Sequence, residues 1–161
     1  VGEFKGEVAP ESNELRLEIP VDARIPESYI ESERLRLEAY QKLSAASFPA
    51  AEEGAIKHEI SEMKDRFGEP PLQVLNLARV AGLRRRIAQI GITDVVTAGA
   101  SLRISGKALP DSRQLRLQRL YKDAKYITAT NTAVVPLPSL DGVELIEWVT
   151  DLIDAIFVEE K

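Results

Sequence analysis

Asp65-Arg66-Phe67-Gly68-Glu69-Pro70-Pro71 stops one helix and starts the next. Glycine suits the position just past a helix end because it accepts a left-handed backbone. Proline suits a first helical turn because an N–H there has no intrahelical partner to lose. Working back, Ile56, Ile60, Met63 and Phe67 recur at spacings of 4, 3 and 4, which predicts a helix over about Ala51 to Phe67. Working forward, Leu77, Val80, Leu83, Ile87 and Ile90 give a long helix its inward face, and Gly91 closes it.

Further upstream, Ser32 can cap a helix, with Glu31 and Glu33 near its positive end. Leu35, Ala39, Leu43 and Ala46 form its apolar stripe, Tyr40 widens it, and Ser47-Phe48-Pro49 ends it. Ile25-Pro26-Glu27-Ser28-Tyr29-Ile30 joins this helix to an extended run. There Leu15, Leu17, Ile19, Val21, Ala23 and Ile25 alternate with polar residues or proline. A period of two predicts a half-buried strand, and Pro20 makes it an edge strand or breaks it in two.

The second half changes character. Ile92 to Thr97 and Ser101 to Ile104 read as paired strands, and Pro110-Asp111-Ser112 starts a helix to about Tyr121. Tyr126 to Thr130 and Ala133 to Leu137 read as a hairpin turning at Asn131, and Asp141-Gly142 leads into a last helix. Leu145, Ile146, Val149, Leu152, Ile153 and Ile156 give that helix its apolar stripe, with Trp148 at its edge. The expected class is α+β: a leading strand, a three-helix segment, then small antiparallel strands with two further helices. Residues 1–13 read as a linker and 14–161 as a single α+β regulatory domain.

Apolar residues make up 44% of the chain and charged residues 29%, a balance that excludes intrinsic disorder. Without cysteine there is no disulfide, thiolate nucleophile or zinc–thiolate site. The sequence has no apolar run of membrane-spanning length and no signal peptide, and its start at Val1 suggests a fragment. The net charge of −5 is unevenly spread: residues 1–69 carry −7, residues 70–125 carry +8 and residues 126–161 carry −6. A basic middle can neutralise its acidic flanks or face a nucleic acid.

Chemistry is hard to assemble from these residues. His58-Glu59-Ile60-Ser61-Glu62 lacks the second histidine of a metalloprotease helix, and His58 is expected to pair with Glu62 one turn on. Gly106-Lys107 lacks the upstream glycine and following Ser or Thr of a phosphate-binding loop. With one histidine and no cysteine, no nucleophile–base pair stands out, so no catalytic, cofactor or metal residue is expected. Arg79, Arg84, Arg85 and Arg86, then Arg113, Arg116 and Arg119, are either phosphate contacts or helix faces whose stems cover apolar surface. The alternative function is therefore a nucleic-acid-binding module over residues 79–119. At about 100° per residue, Glu62, Asp65 and His58 fall roughly 130° to 170° from the centre of the sector holding Ile56 and Met63. They form an acidic ridge that is either a plain polar face, with Glu62 paired to Arg66, or a docking ridge for arginines on another domain.

Several of these segments together resemble one family: Ile19-Pro20-Val21-Asp22-Ala23 through Ile25-Pro26 and Tyr29-Ile30, Arg34-Leu35 to Tyr40, and Asp65-Arg66-Phe67-Gly68. Leu77-Ala78-Arg79, Gly91-Ile92 and Glu147-Trp148-Val149 extend the likeness from about Leu15 to Phe157. The chain resembles the C-terminal domain of bacterial transcription-repair coupling factors. The resemblance implies a non-enzymatic, autoinhibitory segment of a large cytoplasmic translocase, whose ATP- and magnesium-using motor lies elsewhere. Such proteins act on DNA at stalled RNA polymerase and recruit the repair protein UvrA. The resemblance further implies that this domain docks on an N-terminal UvrB-like module of the same polypeptide and covers the surface UvrA needs. Placed by the Asp-Arg-Phe-Gly motif, the docking residues correspond to Glu62 and Asp65.

Overall fold

Ser32 caps the first helix as its position suggests, its hydroxyl accepting the Leu35 N–H at 3.2 Å. That bond satisfies one of the donors a helix start leaves open and contributes about 1 kcal/mol. The structure, a computed structural model, describes residues 15–158, so the linker expected over residues 1–13 lies outside the described part. The elements run β1 (Arg16–Glu18), α1 (Glu33–Ala46), α2 (Ala55–Phe67), α3 (Leu72–Ile90), β2 (Asp94–Ala98), β3 (Ser101–Ser105), α4 (Asp111–Leu120), β4 (Lys125–Ile127), β5 (Thr132–Pro136) and α5 (Gly142–Ile156). This is the α+β order the sequence predicts.

The described chain divides into two compact units. A helical unit holds residues 20–89 and 140–151. A sheet unit holds residues 15–19, 90–139 and 152–158, so the division runs through α5.

In the helical unit, Ile25, Ile30, Ala39, Leu43, Met63 and Val74 form a buried cluster, with Tyr29, Leu35, Tyr40, Ile56, Ile60, Phe67 and Leu77 packed on it. The apolar stripes of α1 and α2 meet here. Residues 51–54 form turns, so α2 starts four residues later than predicted. Ala51-Glu52-Glu53 favours a helix by propensity, but Gly54 takes a left-handed conformation (φ 89°) that sets the start at Ala55. On α3, Leu83 and Ile87 are buried as expected, whereas Leu77, Val80 and Ile90 are only half-buried. Val74, Asn76 and Ala81 are buried as well, so α3 is covered on more than one side and a single stripe describes it poorly. Asn76 is satisfied: its amide donates to the Asp22 carbonyl at 3.3 Å, and its oxygen accepts from Arg79 at 3.1 Å.

The predicted leading strand is shorter than its alternation. Burial alternates from Leu15 to Arg24, but the ladder covers only Arg16–Glu18. Pro20 has no N–H to give, and beyond it the backbone bonds α3 instead, the Arg24 N–H donating to the Gln73 carbonyl at 3.2 Å.

In the sheet unit the strand order is β1-β2-β3-β5-β4. β1 pairs parallel with β2, and every other pair is antiparallel. The two predicted hairpins are joined by β3–β5 pairing into one sheet. Its register sets Val95 opposite Ile104, Ile104 opposite Ala133 and Leu102 opposite Val135, all buried on one face. Asn131 turns the second hairpin with φ 50°, a conformation asparagine tolerates better than most residues.

Candidate functional site

The Asp-Arg-Phe-Gly end of α2 is held from three directions. Gly68 takes φ 95° and donates its N–H to the Lys64 carbonyl at 2.9 Å, ending the helix. The Tyr29 hydroxyl reaches the Gly68 carbonyl at 2.8 Å, an acceptor that the helix end leaves open, and lies 3.1 Å from the Met63 carbonyl inside the helix. The Tyr29 and Phe67 rings meet edge to face, with centroids 6.0 Å apart. Burial, and then the Glu69 charge, push the Tyr29 hydroxyl above its ordinary pKa. The side chains on this last turn therefore project from a fixed backbone.

Asp65 points to solvent, and its carboxylate is in no ion pair among the described residues. Glu62 is placed differently. Its side chain is 46% exposed and pairs with His58 Nε2 at 3.3 Å, the pairing the sequence suggests. It also borders a groove between α1 and α2. Asp65 and His58 thus occupy the back of the helix, while Glu62 sits on its flank. The reason is that α1 packs beside the apolar sector of α2, so a residue roughly 130° from that sector's centre faces the neighbouring helix.

The groove adds residues that periodicity along one helix does not reveal. Leu35 and Ala39 of α1 and Met63 and Phe67 of α2 are its apolar part. Glu38 and Lys42 of α1 join Glu59, Glu62 and Arg66 of α2 around it. Glu38 pairs with Arg34 at 3.1 Å, and Arg66 lies 5.0 Å over the Phe67 ring. Glu59, like Asp65, has no ion pair among the described residues. The signal that could have found Glu38 is its i+3 position from Leu35 on the α1 stripe.

The donor atoms of His58, Glu59 and Glu62 lie within 4.8 Å of one another. That closeness follows from their i, i+1, i+4 spacing, and all three are at least partly exposed.

The arginines of the basic middle are largely engaged. In the helical unit, Arg85 donates to the Ala51 carbonyl at 2.7 Å and the Phe48 carbonyl at 3.4 Å, tying down the turn before α2. Burial lowers the pKa of Arg84. In the sheet unit, Arg113 Nη1 and Arg116 Nε both donate to the Ala155 carbonyl, at 3.0 and 2.8 Å. Arg119 is exposed.

Comparison with known proteins agrees with this architecture. The sequence profile of the TRCF domain matches residues 19–118. The transcription-repair-coupling factor of Mycobacterium tuberculosis (strain CDC 1551 / Oshkosh) is 42% identical over 157 residues, covering 92% of this chain and 12% of that protein. That of Myxococcus xanthus is 30% identical over 137 residues, covering 79% of this chain and 11% of that protein. The chain thus spans a small part of the curated relatives it matches. A crystal structure of the C-terminal domain of transcription-repair coupling factor superposes with a TM-score of 0.68 at 16% identity, covering 91% of this chain and 96% of that one, a likeness of fold. With the profile matched over more than half its length, the chain belongs to the TRCF domain family, that of the C-terminal domain of bacterial transcription-repair coupling factors.

Proposed function

We propose that the chain is the autoinhibitory C-terminal domain of a transcription-repair coupling factor. Glu62 and Asp65 dock on basic residues of the N-terminal UvrB-like module and cover the surface that UvrA needs. The observation that supports this most is Asp65: a carboxylate held on a rigid helix end, exposed and without a counter-ion among the described residues. A charge left unpaired on a fixed element is available to a partner at little ordering cost.

The energetics suit a latch. An exposed charge pair contributes about 0–1 kcal/mol, and a partly desolvated arginine–carboxylate pair contributes more. Tethering within one polypeptide supplies the remainder through effective concentration. A contact of that strength holds closed at rest and opens to a ligand that prefers the open state. The parent would be a cytoplasmic, ATP- and magnesium-dependent DNA translocase acting on stalled RNA polymerase, with its motor outside this segment. Reversing both charges, Glu62→Lys with Asp65→Lys, in the full-length protein should raise UvrA capture in pull-downs. Unchanged capture would reject the latch.

A nucleic-acid-binding role for residues 79–119 is the second reading, favoured by the +8 charge of residues 70–125. Three of its arginines already donate to backbone carbonyls, which weakens it. Anisotropy of labelled duplex DNA separates the two readings. The latch predicts weak binding at low salt, and the DNA module predicts tight binding that falls steeply as salt rises.

A further inference from the structure

The outer face of the sheet is a second surface, independent of the acidic ridge, and its rows follow from the register. Val96 of β2, Arg103 of β3, Val134 of β5 and Lys125 of β4 stand side by side, on the face opposite Val95, Ile104 and Ala133. Ser105, Thr132 and Ile127 belong to the next row. The inner residues are fully buried, whereas Val96 and Val134 are half-buried and Ile127 is 40% exposed. An antiparallel sheet can leave one face to water, and that face is then ordinarily polar. Here apolar and cationic side chains alternate along it.

Charge on this face is balanced at one edge only. Arg16 of β1 pairs with Glu18 at 3.4 Å and with Asp94 at 3.7 Å. Arg103 and Lys125 are exposed, with no ion pair or side-chain hydrogen bond among the described residues. A lysine on an edge strand such as β4 has a ready explanation, because its charge keeps other strands from adding there. Arg103 has no such explanation, since β3 is paired on both sides, to β2 and β5. Adjacent strands lie about 4.8 Å apart, so Arg103 and Lys125 stand roughly 10 Å apart with Val134 between them.

We propose that this face binds an acidic protein segment. Two of its carboxylates meet Arg103 and Lys125, and an apolar side chain between them rests on Val134 and Val96. The alternation of cation and valine selects a peptide over a nucleic acid. Phosphates would use the two cations but leave the valines and Ile127 against a polar backbone. No aromatic residue occupies a strand position on this face to stack a base. The chain carries −5 overall, so net charge does not explain capture of an acidic probe.

The test titrates this chain, ¹⁵N-labelled, at low salt with the blocked peptide Glu-Ser-Val-Ser-Glu, whose alternate residues share a face when extended. Shifts should concentrate at Val96, Arg103, Ser105, Lys125, Ile127 and Val134. Exchanging the peptide's glutamates for glutamine, or its valine for serine, should weaken binding. Arg103→Gln and Lys125→Gln should each weaken it by roughly twofold to fivefold. Lys42→Gln makes the same change of net charge in the helical unit and should leave it unchanged. Shifts elsewhere, or affinity indifferent to both sheet substitutions, would overturn the proposal. So would tighter binding of a short DNA duplex or single strand at the same residues, which would make the face a nucleic-acid surface. Shifts there that depend on protein concentration without peptide would give the face to a second copy instead. The peptide comparators decide the matter on the unsubstituted chain, whatever a substitution does to folding.

Discussion

A Cβ at Gly68 would meet nothing within 4 Å, whereas one at Gly106 would run into the Thr93 side chain and lie 2.6 Å from its backbone nitrogen. Both glycines have positive φ, 95° and 106°. Gly68→Ala should therefore cost only backbone strain, about 1–3 kcal/mol. Gly106→Ala adds a clash with backbone and should cost about 3 kcal/mol or more by chemical denaturation. Equal losses would count against the close approach of the Gly106 turn to Thr93. The Gly106-Lys107 pair, which lacks the context of a phosphate loop, thus has a structural role. Lys107 Nζ donates to the Ile90 carbonyl at 3.2 Å. Tyr29 gives a pH signature. Its pKa is raised on folding, so the folded state holds the proton more tightly than the unfolded chain. The contribution is complete below the ordinary value of 10.0 and is lost as pH rises through the folded value. Urea midpoints should fall with alkaline pH above 10, and the fall should shrink in Tyr29→Phe. An identical profile in the variant would assign the decline to other groups.

At the scale of elements, the Arg113–Arg116 pair on Ala155 shows why spacing alone misleads. Two arginines three apart on α4 look like a phosphate ladder in sequence. Here they serve the end of α5, which has no basic residue in its own last turn and leaves its final carbonyls without intrahelical donors. Removing one arginine leaves the carbonyl bonded to the other. Arg113→Ala or Arg116→Ala alone should cost about 0.5–1.5 kcal/mol, and the double variant more than the sum. Strict additivity would show that the two bonds are independent. The helices themselves were legible, because caps and 3.6-residue periodicity are local: Ser32, Gly68, Gly91 and the stripes of α1 and α5 stand where the sequence puts them. The acidic site was half legible. Asp65 is at the back of α2 as periodicity places it, but Glu38 and Glu59 needed the packing of α1 on α2, which no single helix encodes.

Across the whole molecule, the sheet was the least readable part. Each hairpin announces itself through neighbouring residues, but the pairing of β3 with β5, and of β1 with β2, joins segments far apart in sequence. A parallel pair has no turn to mark it. The alternation from Leu15 to Arg24 was real in burial and still misjudged the ladder, because burial records a half-covered surface and not the hydrogen-bond partner. Leu17 is the useful probe. Its pairing with Val95 closes a loop over residues 19–93, against the two-residue turn between β2 and β3. The longer closure costs about 3 kcal/mol more in chain entropy. Leu17→Ala should therefore speed unfolding and leave the folding rate nearly unchanged in stopped-flow measurements. A slowed folding rate would place β1 in the nucleus.

The same separation has a meaning on the ribosome. Arg16–Glu18 is made before its partner and has none until Asp94–Ala98 is made. At about 5–20 residues per second, that wait lasts roughly 4–15 s. Residues 20–89 exit in the interval and can assemble most of their own core first. A nascent chain stalled before Asp94 would present β1 as a bare strand edge, so translation pausing in this stretch would prolong its exposure to other strands.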